Sequence, residues 1–131
     1  MIRIDHVQVA APPGCERAAR EFYGGILGLE EIAKPASLHG QGGCWFRCGD
    51  QQVHVGVEAD FRPAKKAHPA FVLDDLEPLR AQLAARGYEI VDDSALEGVT
   101  RFFSFDPWGN RLELILDAKF ASGSKDHKGS P

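Results

Sequence analysis

Two stretches of apolar–polar alternation, Gln52–Val57 and Arg111–Leu116, set the frame that the rest of the chain must fit. Successive side chains of a strand point to opposite faces. Val53, Val55 and Val57 therefore share one face, with His54 and Gly56 opposite. Leu112, Leu114 and Leu116 share one face, with Arg111, Glu113 and Ile115 opposite. A strand with one aliphatic side needs a layer to cover it, and the sequence before each stretch supplies a helix. In the first half, a β-rich segment from Ile2 to Val9 precedes a helical segment from about Cys15 to Tyr23, with Ala18, Ala19 and Phe22 on one side. Gly24-Gly25 is expected to break that helix. Ile26–Ile32, about Gly43–Cys48 and Gln52–Val57 follow as extended segments, with Gly49-Asp50 as a turn.

After a connector with Pro63 and two lysines, the plan restarts. Pro69–Leu73 reads as a strand and Asp75 as a helix N-cap. Leu76, Leu79 and Leu83 form a helical stripe, and Gly87 stands at the helix C-terminus. Strands at about Tyr88–Val91, Thr100–Phe105 and Arg111–Leu116 complete the half, with Asp106-Pro107-Trp108-Gly109-Asn110 as a turn. The predicted class is α+β: two βαβββ modules forming a cupped mixed sheet with helices on the outer face. One domain is expected over 1–117, made of a module at about 1–58, a linker at about 59–66 and a module at about 67–117. A polar tail would run from 118 to 131.

Composition narrows the function classes. A chain of 131 residues is the size of one domain and buries enough surface for a real core. Fifteen Lys and Arg against nineteen Asp and Glu leave a net charge of −4, with no basic cluster to bind nucleic acid. No apolar run approaches a membrane span. Met1-Ile2-Arg3-Ile4-Asp5-His6 lacks the features of a signal peptide, and three cysteines make no disulfide framework, so a cytoplasmic location is expected.

The strand faces opposite the aliphatic ones carry the chemistry. His6 and His68 belong to the first strands of the two halves, His54 and Glu113 to the last, at offsets of 62 and 59 positions. A His or Glu in a strand is ordinarily a hydrogen-bonded or solvent-facing residue. Four of them at repeat-related positions point instead to a shared metal site. Imidazole and carboxylate donors suit Zn, Ni, Mn or Fe and leave the ion's identity open.

At these residues the sequence resembles the vicinal oxygen chelate superfamily of glyoxalases, bleomycin- and fosfomycin-resistance proteins and extradiol dioxygenases. The resemblance lies in Ile4-Asp5-His6-Val7, Phe22-Tyr23-Gly24-Gly25-Ile26-Leu27-Gly28-Leu29, His68 through Leu76, and Phe105 through Leu114. The last piece, aromatic-x-Pro-x-Gly-Asn before an apolar-Glu-apolar triplet, is the most specific. The resemblance implies a divalent metal at His6, His54, His68 and Glu113, a homodimer, and a small substrate chelating the metal through vicinal oxygens. It implies a lyase, isomerase or dioxygenase, with proton transfer by Glu113 or His54. Glyoxalase I usually carries Glu where this chain has His54, and extradiol enzymes use longer chains, so the subfamily stays open. The alternatives are a binding or antibiotic-sequestering protein of the same fold without turnover, and a scaffold used only for dimerisation.

Arg47 and Arg101 are candidates for binding an anionic substrate group, or surface residues. Trp45, Phe102, Phe103 and Trp108 offer a pocket wall or core packing. Cys44 and Cys48 share a face with Phe46 and read as small core residues. His39 and His127 read as solvated side chains, and Asp74-Asp75 as a helix-start signal.

Overall fold

The computed structural model describes residues 1–120. The tail expected from 118 on, His127 included, lies from residue 121 outside the described residues. The chain divides into two compact units, Met1–Lys65 with Asp106–Asn110, and Lys66–Phe105 with Arg111 onward.

The first unit holds a four-stranded sheet: β1 (His6–Ala11), β2 (Glu30–Ile32), β3 (Cys44–Cys48) and β4 (Gln51–Val57), in spatial order β1-β4-β3-β2. β1 runs parallel to β4, with Gln8 opposite His54, and β3 antiparallel to it, with Trp45 opposite His54. Helix α1 starts at Glu16–Ala19 and widens into a π-helical segment over Arg20–Ile26. Gly24-Gly25 does not break it as expected. The widened turn carries the chain past the pair, with the Leu27 N–H bonding five residues back to the Phe22 carbonyl at 2.9 Å. The widening presents Phe22, Tyr23 and Ile26 together to the core, where they are buried with Val9, Phe46, Val53 and Val55. Each such side chain contributes about 2 kcal/mol of burial. A 3₁₀ segment at Ala36–Gln41, unforeseen in the sequence, fills the loop before β3.

The second unit repeats the plan. Its strands are β5 (Ala70–Leu73), β6 (Val91–Asp93), β7 (Arg101–Phe105) and β8 (Arg111–Leu116), in order β5-β8-β7-β6, with β5 parallel to β8. β6 lies further along than the expected Tyr88–Val91. Helix α2 (Glu77–Ala85) buries Leu79 and Leu83 alongside Leu76, as its spacing predicts. Asp75 acts one residue earlier than a cap at Leu76, its Oδ1 accepting the Glu77 N–H at 3.1 Å. The helix closes on Gly87 at φ +85°, where the N–H groups of Gly87 and Tyr88 reach the carbonyls of Ala84 and Leu83. That pair of hydrogen bonds needs the left-handed conformation glycine adopts freely. Each unit thus has the βαβββ order and mixed sheet read from the sequence.

The turn Asp106–Asn110 belongs to the first unit although β7 and β8 flank it. Asp106 Oδ1 accepts the N–H groups of Trp108 and Asn110 at 3.0 and 2.9 Å, and Oδ2 accepts the Tyr23 hydroxyl at 2.8 Å. Asn110 donates to the Ala10 carbonyl at 2.8 Å and accepts the Ala64 N–H at 2.9 Å. This buried network accounts for the Pro-x-Gly-Asn pattern as a structural device.

Candidate functional site

Chemistry-bearing side chains collect on the sheet faces opposite the aliphatic ones, in two groups.

The first group lies across β1, β4 and β3. His54 joins three rings, with Trp45 directly opposite it on β3 and His6 diagonal to it on β1. His54 stacks on Trp45 at 3.8 Å and on His6 at 4.1 Å, with interplanar angles of 5° and 14°. Sandwiched this way, His54 is 4% exposed. Its Nε2 lies 2.8 Å from Gln52 Oε1, a partner its own strand supplies two residues away. Burial, and next the neighbouring His6, push its pKa below the ordinary imidazole value, with Asp5 opposing weakly. A ring short of solvent and beside a second imidazole favours its neutral form. His6 is more exposed, and its Nδ1 lies 2.9 Å from Asp5 Oδ2. The carboxylate can only accept, so Nδ1 carries a hydrogen, and in the neutral ring the lone pair is on Nε2.

The second group lies on β8 and its neighbours. Glu113, 7% exposed, stands opposite Ala70 on β5 and Phe103 on β7. Its Oε2 accepts from Arg101 Nη1 at 3.1 Å, and its Oε1 lies 3.1 Å from His68 Nε2. Arg101 also reaches Asp93 Oδ1 at 3.4 Å, while its Nε is buried without a partner. Asp93 is held below the usual carboxylate range, first by the Ala95 N–H and then by Arg101. His68 Nδ1 bonds the Lys66 carbonyl at 2.9 Å.

That arrangement makes a specific demand. The Lys66 carbonyl oxygen can only accept, so His68 Nδ1 carries a hydrogen. Glu113 Oε1, on a carboxylate already paired with Arg101, also accepts. A neutral imidazole would then turn its lone pair on a carboxylate lone pair, so a cation belongs between Nε2 and Oε1, either a proton or a metal ion. Two ligands about 2.1 Å from an ion and at right angles to each other lie about 3 Å apart. The observed 3.1 Å serves both cations.

The four expected metal donors therefore fall into the pairs His6/His54 and His68/Glu113. Among the described residues, no group of three or more His, Cys, Asp or Glu side chains comes together to hold an ion. Of the two expected substrate arginines, Arg47 is exposed and pairs with Glu30 at 3.3 Å, and Arg101 is committed to Glu113 and Asp93. Phe102 is buried in the core, where the Arg80 guanidinium of α2 lies over its ring, and Trp45 lies in the ring stack. His39 is exposed, bonded to the Lys34 carbonyl. The sequence reading gave no role to Gln52 or Arg111. Strand alternation places Gln52 with His54 and Arg111 with Glu113, which was the available signal.

The repeated βαβββ units and these strand-borne side chains define a glyoxalase-like protein. The profile of the Glyoxalase/Bleomycin resistance protein/Dioxygenase superfamily matches residues 3–114, and the chain belongs to that superfamily. Its structure is similar to the crystal structure of a protein assigned to the glyoxalase family from Bacillus anthracis. That likeness has 51% identity and a TM-score of 0.84, over 89% of this chain and 96% of the other. Lactoylglutathione lyase from Agrobacterium tumefaciens shares the fold at 21% identity and TM-score 0.69, over 91% and 96%. The fosfomycin resistance protein FosX from Listeria monocytogenes shares it at 15% identity and TM-score 0.70, over 89% and 94%. No curated protein matches the sequence. No helix among the described residues is long and apolar enough to cross a membrane.

Within each pair the donor types suit the divalent ion that the superfamily implies, though among the described residues no three donors converge. His6 and His68 each direct Nδ1 at an oxygen acceptor, the arrangement that orients a ligating imidazole and raises its basicity. Glu113 has one oxygen anchored by Arg101 and the other facing His68. His54, with Nε2 on Gln52 and both ring faces covered, is the donor least free to ligate.

Proposed function

We propose that this chain is a divalent-metal-dependent enzyme of the lyase/isomerase or dioxygenase kind, acting on a small molecule with adjacent oxygens. The observation that carries the reading is the His68 Nε2–Glu113 Oε1 pair at 3.1 Å, a spacing that two ligands of one ion can adopt, with His68 Nδ1 held by the Lys66 carbonyl. His6, His68 and Glu113 would hold the ion, and His54 would position His6 by stacking. Bound, the ion would polarise the chelated oxygens as a Lewis acid. Glu113 Oε1 is the atom suited to take and return a proton, because Oε2 is committed to Arg101. A homodimer is the assembly that accompanies this reading, and a monomer in sedimentation at micromolar concentration would count against it.

The test is elemental mass spectrometry on protein purified without a metal column, with His6→Ala, His68→Ala and Glu113→Gln beside it. Each variant should lose a near-stoichiometric ion, and an oxygenation or isomerisation assay chosen by the ion's identity should show turnover that chelators abolish. A second reading, a binding protein without turnover, is favoured by the arrangement of donors in pairs rather than threes. Protein that takes up no ion after reconstitution, while holding a small molecule regardless of chelator, would establish that reading instead.

A further inference from the structure

Three arginines lie on the strand faces that carry the candidate chemistry, and they differ in what occupies them. Arg47 has Glu30, and Arg101 has Glu113 and Asp93. Arg111 has no carboxylate within ion-pair distance among the described residues. Its guanidinium instead lies over the Phe103 ring, 4.1 Å from the centroid. It acts on Asp93 only from a distance, as a minor cause of that group's lowered pKa.

Phe103 fixes where this cation can be. The ring stands opposite Glu113 in the β7–β8 register, and His68 meets it edge-on at 5.5 Å. Arg101 lies over it as well, at 5.1 Å. Arg111 precedes Glu113 by two residues on β8, so both side chains leave the same face. Stacking on an aromatic ring holds a guanidinium by its π surface, and the N–H groups in its plane stay available. Those N–H groups form a fork shaped for a planar or tetrahedral oxyanion. Half-buried and unpaired, such a cation gains from an anionic partner what Arg101 already has from Glu113.

We propose that Arg111 is the substrate's anion anchor: the small molecule of this site carries a carboxylate or phosphate-type group, bound by the Arg111 fork beside Glu113. The proposal rests on the reading of the Glu113–His68 group as the functional site, and it adds the charge class of the substrate.

The test uses the full chain stripped of metal with a chelator, with inorganic phosphate and acetate as probes. The Arg111 Nε resonance should shift on titration with one or both anions, and the arm with the tighter binding identifies the group. Arg111→Gln should weaken that binding about tenfold or more, Arg111→Lys should keep part of it, and Arg86→Gln at the exposed end of α2 should leave it unchanged. Thermal melts of both Arg111 variants verify folding, and the Lys variant serves if Gln fails to fold. Equal anion affinity in Arg111→Gln and the parent overturns the proposal, as does a shift that Arg86→Gln abolishes equally. Metal content measured in parallel separates the two readings. Arg111→Gln that keeps its ion and loses the anion supports both. Loss of the anion in protein that never takes up an ion supports the anchor and overturns the metal reading.

Discussion

Tyr23 donates its hydroxyl to Asp106 Oδ2 at 2.8 Å across 83 positions of sequence, and both side chains are buried. Burial pushes the Asp106 carboxyl above its ordinary range, while the bonds from Asn110 and Tyr23 pull it back. A carboxyl raised in the folded state adds most stability below its unfolded pKa, and that contribution falls as pH rises through the folded value. Tyr23→Phe removes one of the bonds that lower it, so the carboxylate form becomes dearer still. The variant should lose about 2 kcal/mol at pH 7 and clearly less at pH 4, read from urea melts at both. Equal losses at the two pH values would show that the hydroxyl does not serve the ionised carboxyl.

Gly43 and Gly56 should respond differently to the same substitution. Gly43 sits at φ +87°, and a Cβ there would run into the Val55 carbonyl oxygen of β4. The backbone of a central strand cannot yield, so Gly43→Ala should cost more than about 2 kcal/mol. At Gly56 an added Cβ would meet the end of the Gln8 side chain at 2.8 Å, which can rotate away. Gly56→Ala should stay within about 1 kcal/mol of the parent in chemical denaturation. Similar melts for the two variants would mean that the β4 backbone at Val55 yields to the added Cβ.

The strand faces were legible because a period of two is a local property, and Val53, Val55, Leu112 and Leu114 are buried where alternation puts them. The capping role of Gly87 was legible for the same reason, since its conformation depends on a few neighbouring residues. The passage of α1 through Gly24-Gly25 was not, because core burial of Tyr23 and Ile26 outweighs the helix-breaking preference of the pair. At the site, the residue types of His6, His54, His68 and Glu113 could be read, but not their partners. Arg101 stands opposite Ile115, so its bond to Glu113 is a diagonal across the sheet that depends on register and rotamer. The same holds for the stacking of His54 between Trp45 and His6.

Under the metal reading proposed above, two positioning residues should govern metal affinity without ligating the ion. Asp5 fixes His6 through Nδ1, and Arg101 fixes Glu113 through Oε2. Asp5→Ala and Arg101→Met should each weaken binding of the reconstituted ion by about 10- to 100-fold, read by competition with a chromophoric chelator. Asp5→Asn, whose amide oxygen can still accept from Nδ1, should recover most of the loss. Unchanged affinity in both alanine and methionine variants would remove these two residues from the site.

Cys44 is buried, its thiol pushed up to about 11, chiefly by desolvation. At pH 8 its thiolate fraction is about a hundredfold below that of a thiol with the ordinary value, and the thiolate is the reactive species. Burial raises Cys15 and Cys48 in the same direction. Native protein at pH 8 should therefore label slowly with a disulfide reagent, with Cys44 at least about a hundredfold slower than in urea, where all three thiols should react at one common rate. The neutral thiol is the form the fold prefers, so its stabilising contribution is complete below the ordinary thiol value of 9.0 and falls as pH rises through about 11. Cys44→Ser should flatten that part of the stability profile. Rapid labelling of Cys44 in the native protein would show that the packing of α1 over β3 opens on the timescale of the reaction.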